Sequence, residues 1–309
     1  MKNITTLKDV VVYGDFPWIT TMDGDVIDLP KNFQYYRNII KEKKQNEIPD
    51  FKSLDTSNLQ VVQQECCFMM GQYHIYPYGH LYDVIQYCKD YQEAGLSHLA
   101  WLVGNINTNH TQNIFENHFK TFGCKTTIPI QRNEIKIFKK LHISHHETFP
   151  AQFDPQKTQW IKESYLNQFR DQINEINLNL PKKYNLYLHR PSRRKVLNFD
   201  EIKPILEENN FLIIDGSEGL ISHISYFQNP NLVMGPHGSL FRNALFSCSN
   251  NKSKYYEWCA DNRVDYSIKQ ACIDCGISFY EQFFIKGNDN HEIEISTESI
   301  KEIIKNENS

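Results

Sequence analysis

Residues 231–246 read NLVMGPHGSLFRNALF, and a strand, a turn and a helix are packed into them. Leu232, Val233 and Met234 form a short apolar run of the kind that fills a buried strand. Gly235 and Gly238 bracket a Pro-His pair that the chain must turn through, and apolar residues at helical spacing resume from Ser239. A strand that turns tightly into a helix leaves the first helical amides unpaired and partly positive. Such a junction is an anion pocket, and His237 at its mouth is placed to donate to a phosphate oxygen. Taken alone, the stretch reads equally well as a turn whose histidine bonds nearby backbone, so the surrounding charges decide.

The flanking chain repeats the same unit. YNLYLHR is a strand, NFDEIKPILEENN a helix capped by Asn198, FLIID a strand, GLISHISYFQ a helix, and KYYEW a strand after the opening block. This β-α alternation predicts a parallel, doubly wound sheet, whose ligand crevice lies at the carboxyl ends of its strands. Arg190, His237 and Glu257 all fall at or near such ends. LHRPSRRK adds Arg190, Arg193, Arg194 and Lys195 at one of them. The planar fork of arginine grips phosphate at two points, so Arg190 and Arg194 are candidate counter-charges for a diphosphate, whereas Arg193 and Lys195 read as a solvated loop. Glu257 reads either as an acceptor for ribose hydroxyls or as a strand-end glutamate.

The first half is also layered. DVVVYGDF is a strand and WITTMDGDVIDLP a hairpin turning at Asp23-Gly24, a reading preferred to metal binding by Asp23-x-Asp25. A helix over 32–44, a strand pair in LQVVQQECCFMM, a helix from Tyr78 to Gly95, a strand in HLAWLVG, a helix over 111–123 and a strand over 133–144 follow. His80 and Asp83 are three apart on one face of the helix that starts at Tyr78, where either is a candidate base with the other orienting it, or a plain helix-end pair. Trp160, Ile161, Tyr165, Phe169, Ile173 and Ile176 form one stripe of a long helix that ends at Pro181 and connects the halves.

Composition narrows the classes. A chain of 309 residues, 40% hydrophobic and 23% charged, suits two domains. A net charge of -4 leaves no general basic field, which argues against a dedicated nucleic-acid binder. No apolar run approaches the ~18 residues of a spanning helix and no secretory leader opens the chain, so a cytoplasmic location is expected, with peripheral membrane association left open. Eight cysteines in this length make no disulfide framework, and Cys272-x-x-Cys275 lacks the second half of a zinc site. The absence of G-x-G-x-x-G after any expected strand argues against a nucleotide-dependent oxidoreductase or epimerase.

Four blocks, in this order, resemble glycosyltransferase family 61. YGHLYDVI is similar to that family's N-Y-x-H-W-L-x-D-x-L segment at His80 and Asp83, and YLHRPSRRKVLNFDEI to its R-x(3,4)-R-x-x-x-N-E/D-E run at Arg190, Arg194 and Asn198. HGSLFRN resembles its H-G-A-G-L-T-N block at His237, Gly238 and Asn243, and KYYEW the strand bearing its acidic residue, here Glu257. Leu240 and Arg242 depart from the pattern, standing where the family has glycine and threonine.

The resemblance implies a GT-B-like α/β fold, two Rossmann-like domains with parallel sheets facing a central cleft. The expected division is 1–155 on the acceptor side, a connecting helix over 156–180, a nucleotide-sugar domain over 181–290 and a terminal strand and helix over 291–309. The implied activity is inverting, metal-independent transfer of a sugar from a nucleotide-sugar, UDP-linked by preference, to a glycan or glycoprotein hydroxyl in surface polysaccharide or glycan synthesis. Donor contacts fall to Arg190, Arg194, His237, Gly238, Ser239, Asn243 and Glu257, and base catalysis to Asp83 or His80, with no metal ligand and no cofactor besides the co-substrate. The alternative is a glycan or nucleotide-sugar binding protein that kept the fold without the chemistry, for which Leu240 is the sequence argument.

Overall fold

The computed structural model describes residues 4–14, 18–27, 50–69, 78–104, 118–131, 134–145, 153–248 and 252–307, without the side chains of 78–81 and 83. The chain forms two compact units, Met1–Ser164 and Tyr165–Ser309.

The first unit is built on a sheet of seven strands: β1 (Ile4–Tyr13), β2 (Trp18–Thr20), β3 (Gln60–Val62), β4 (Cys66–Phe68), β5 (Ala100–Val103), β6 (Thr127–Pro129) and β7 (Ile135–Ser144). The order is β2-β1-β7-β4-β5-β6, with β3 also paired to β7. β4, β5, β6 and β7 run parallel, but β1 is antiparallel to both β2 and β7. The expectation of a wholly parallel sheet in each half is therefore corrected here: the sheet is mixed. Only four residues separate β1 from β2, too few for the crossover that a parallel pair needs, and the turn read at Asp23-Gly24 follows β2, where Thr20 bridges Val26 in antiparallel fashion. Gly24 sits at φ 80° with the Phe51 carbonyl oxygen 2.5 Å from where a Cβ would be, so the turn demands glycine, and Asp25 pairs with Lys52 at 3.2 Å. The helix expected over 32–44 and most of that over 111–123 lie outside the described residues.

α1 (Tyr78–Glu93) covers this sheet, with Tyr82, Val84, Ile85, Cys88 and Tyr91 buried. α2 (Pro155–Gln168) is held in the first unit by a buried ion pair, Lys157 Nζ to Asp90 Oδ2 at 2.7 Å, which also accepts the Ser144 hydroxyl at 2.5 Å. The stretch read as one connecting helix over 156–180 is two: α2 stops at Gln168 and α3 (Arg170–Asn179) starts after a break at Phe169. The break preserves the apolar stripe, since Tyr165 and Ile173 are both buried.

The second unit carries β8 (Asn185–Leu188), α4 (Phe199–Glu208), β9 (Phe211–Ile214), α5 (Leu220–Tyr226), β10 (Leu232–Pro236), a 3-10 helix (Ser239–Phe246), β11 (Lys254–Ala260), α6 (Ser267–Asp274), β12 (Phe279–Ile285) and α7 (Thr297–Glu307). The sheet is entirely parallel in the order β12-β11-β10-β8-β9. The order reverses between β8 and β10, and that reversal opens the crevice of a doubly wound sheet. Gly235 is what lets the two strands meet there, because a Cβ on it would stand 2.6 Å from the Leu188 carbonyl oxygen.

One face of the sheet packs Tyr187, Met234, Tyr256 and Trp258 against Ile202 and Leu206 of α4 and Ile300, Ile303 and Ile304 of α7. Each such side chain contributes ~1.5–3 kcal/mol on leaving water. Strand alternation turns Glu257 and Cys259 of β11 to the opposite face from Tyr256 and Trp258. The strand expected after 291 is only a set of isolated bridges, Ile293 pairing with Val196 and with Gly287. Asn198 was expected to cap α4; it stands at the N-cap position, yet its side chain clamps the peptide of Ile295 instead, donating from Nδ2 to the carbonyl at 2.8 Å and accepting the amide at 3.1 Å. That clamp and the Ile293–Val196 bridge pin the loop carrying Arg190 and Arg194 to the C-terminal segment.

Candidate functional site

The loops after β8, β9, β10 and β11 gather at the reversal. Leu188 to Ser192, Asp215, Pro236 and Gly238 to Phe241 line a pocket of about 190 Å³. A narrower cleft beside it is lined by Arg194, His237, Arg263 and His291.

Arg190 is fixed from two sides, its Nη1 donating to the His237 carbonyl at 2.8 Å and its Nε to the Arg193 carbonyl at 3.0 Å. Gly238 makes this possible, because a Cβ there would meet Arg190 Nη1 at 2.5 Å. Burial, then Arg263 and Arg193, lowers the affinity of Arg190 for its proton. Arg194 sits in the left-handed region at φ 55°, and burial followed by repulsion from Arg190 and Arg263 brings its pKa down to about 10. Cations held this close repel one another, an arrangement that an incoming anion relieves.

His237 lies between two carboxylates. Its backbone amide donates to the Trp258 carbonyl at 2.8 Å, its Nδ1 lies 2.9 Å from Glu257 Oε1, and its Nε2 lies 3.4 Å from Asp265 Oδ2. Burial opposes protonation of the ring, but hydrogen bonds with Asp265, Cys259 and Glu257 outweigh it and raise the pKa to about 10. Asp265 is held well below the usual carboxylate range, first by its hydrogen bond with His237. With a carboxylate at each nitrogen, the ring is an imidazolium at neutral pH.

Glu257 was expected at a ribose or at a strand surface. It is wholly buried, with Oε1 toward His237 and Oε2 accepting from Gln282 Nε2 at 2.5 Å, so its carboxylate orients the imidazolium from beneath. Asn243 is likewise inside, donating to the Leu240 carbonyl at 3.0 Å within the 3-10 helix. Ser239 and Leu240 line the pocket, and no side chain caps the 3-10 helix that begins there. Arg190, Arg194, His237, Gly238 and Ser239 are therefore brought together, while Glu257 and Asn243 lie behind them. His80 and Asp83 belong to α1 in the first unit, and their side chains lie outside the described residues.

Sequence reasoning missed Arg263, Asp265 and Asp215. The signal was present: DNRVD directly follows a strand end, and Asp215 ends FLIID, both at the edge where ligands bind. Among the described residues, His237, Glu257 and Cys259 are the one set whose ligand atoms lie close enough, within 4.8 Å, to hold a metal ion. Among the described residues no helix is long and apolar enough to cross a membrane.

No curated protein matches the chain. The family model described as Glycosyltransferase 61 matches residues 78–254, from the first residue of α1 to the first of β11. The match takes in His80, Asp83, Arg190, Arg194, His237, Gly238, Ser239 and Asn243, and it covers more than half of the 309 residues. Its parallel sheet is consistent with a Rossmann-like glycosyltransferase, and the chain belongs to glycosyltransferase family 61.

Proposed function

We propose that the chain is an inverting, metal-independent glycosyltransferase of GT-B type that binds a nucleotide-sugar in its second unit and transfers the sugar to a glycan or glycoprotein hydroxyl. The observation that carries this is the gathering of Arg190, Arg194, Arg263 and the His237 imidazolium at the reversal of a parallel sheet, with Glu257 and Asp265 beside His237 and Asp215 on the pocket wall. Glu257 and Asp265 are engaged with His237, so the three guanidinium groups leave positive charge at the crevice suited to a diphosphate. Fixed guanidinium groups then stabilise the charge that develops on the leaving nucleotide, the task a bound metal ion performs in other transferases.

In this reading the acceptor oxygen forms its bond to the anomeric carbon from the face opposite the nucleotide, as the bond from that carbon to the phosphate oxygen breaks. The acceptor proton passes to Asp83, or to His80 with Asp83 orienting it. Arg190 and Arg194 hold the diphosphate, Gly238 and Ser239 let it approach the backbone, and Glu257 keeps His237 in place from below. A UDP-sugar is the preferred donor and surface polysaccharide or glycan the preferred product.

Calorimetric titration with UDP, GDP, CMP and TDP, each with and without magnesium, tests the proposal. Magnesium-independent binding of one nucleotide, lost in Arg190→Ala and His237→Ala, is expected. Binding that requires magnesium would overturn metal independence and return Asp23 and Asp25, the carboxylate pair of the first unit, as candidate metal ligands. The second reading, binding without transfer, is favoured by one feature: Leu240 fills pocket wall where the family pattern has glycine. Saturable donor binding with no hydrolysis or transfer across an acceptor panel is its signature.

A further inference from the structure

We propose that Asp215 is the ribose-recognising group of this pocket, so that the site selects ribonucleotide over deoxyribonucleotide donors; the inference rests on the donor reading above. In doubly wound sheets that bind nucleotides, a carboxylate some twenty residues beyond the first strand accepts a hydrogen bond from the ribose hydroxyl while phosphate lies at the first turn. Here β8 is the first strand of the unit and β9 the second, and they pair in register with Leu188 opposite Ile214. Their next residues, His189 and Asp215, therefore emerge side by side, and the His189 amide donates to the Ile214 carbonyl at 2.7 Å. Asp215 lines the same pocket as Arg190, Gly238 and Ser239.

The loop is built to hold that carboxylate. Glu218 accepts the amides of Asp215 at 2.9 Å and Gly216 at 3.0 Å, and His223, only 1% exposed, reaches the same carboxylate at 2.9 Å. Burial works against the Glu218 charge, but these bonds hold its pKa below the ordinary value. Gly216 takes φ 96°, and a Cβ on it would lie 3.4 Å from Leu240, so the turn is closed against the opposite wall. Asp215 itself accepts the Ser217 amide at 3.0 Å through Oδ1, and the Ser217 contacts keep it ionised. A carboxylate offers about four acceptor positions, so a ribose hydroxyl still finds one. Its charge also repels phosphate from this end of the pocket and directs the diphosphate toward Arg190. The other candidate carboxylate, Glu257, has no exposed surface and its oxygens are engaged with His237 and Gln282.

The test is titration of wild type and Asp215→Asn with UDP, GDP and CMP, each beside its 2′-deoxy and 3′-deoxy counterpart. Wild type should bind the ribonucleotide about tenfold or more tighter than one deoxy form, the size of a hydrogen bond to a charged group. Asp215→Asn should bring that ratio close to one, with the deoxy forms bound no more weakly than by wild type, since a charge that repels phosphate is removed. A merely structural Asp215 would lower all affinities together and keep the ratio. A wild-type ratio near one, or a ratio that survives Asp215→Asn, overturns the inference with the donor site intact. If no nucleotide binds at all, the donor reading falls and this inference with it.

Discussion

Gly238→Ala isolates the contact on which the proposed donor site depends. The φ of Gly238 is 179°, extended backbone that alanine adopts without strain, so the substitution acts only through its methyl group. That methyl would stand 2.5 Å from Arg190 Nη1 and 3.4 Å from Arg190 Cδ and Cζ, atoms of a flexible side chain with room to move toward the pocket. The guanidinium is therefore expected to leave the His237 carbonyl, and the second unit to remain folded. A hydrogen bond to a charged group is worth ~1.5–3 kcal/mol, so nucleotide diphosphate should bind roughly 10- to 150-fold more weakly. Calorimetry on wild type, Gly238→Ala, Arg190→Ala and the double variant reads both the loss and its origin. If the methyl acts through Arg190, it costs little once Arg190 is alanine, and the cycle shows a coupling close to the whole effect. Wild-type affinity in Gly238→Ala, or an equal loss on the Arg190→Ala background, would refute the reasoning.

Gly235→Ala should behave oppositely, because its Cβ would meet the backbone oxygen of Leu188 at 2.6 Å and neither strand can yield. A loss of ~1–3 kcal/mol in folding stability by denaturant titration is expected. Protonated His237 has a pKa raised from 6.5 to about 10, so its contribution to stability is complete below about pH 6.5 and is lost as pH rises through 10. The unfolding midpoint of wild type should fall across that window, with a flatter profile in His237→Gln, and parallel profiles would reject the imidazolium clamp. Asp83→Asn should lower turnover at least ~100-fold while leaving nucleotide affinity unchanged, and full turnover would remove Asp83 as the base.

The second unit was legible in the sequence because each of its inner strands is covered on both faces. NLVMG, YNLYLHR and KYYEW are short, apolar and separated by helical periodicity, and the ligand edge of a parallel sheet follows from topology alone. β12 and α6 were passed over. β12 is an outer strand with partly exposed faces, so its FYEQFFI pattern carries neither a continuous apolar run nor clean alternation. The mixed sheet of the first unit was hidden for a related reason: a strand's own residues do not state which neighbour it will pair with, and β1 meets β7 across more than one hundred residues.

By itself, the sequence determined the layered α/β class, the strand-turn junction at 231–238, and the placing of Arg190, Arg194 and His237 at the carboxyl edge of the second sheet. These are local matters of period, turn chemistry and residue type, and the chain carries them wherever it goes. Tertiary structure alone decided the roles of the carboxylates. Glu257 and Asp215 both end strands and look alike in the sequence, yet register and strand order put one beneath His237 with no exposed surface and the other on the wall of the pocket. Long-range pairing sets which face of a strand is covered and by what, and a carboxylate's function follows from the partners that burial leaves it.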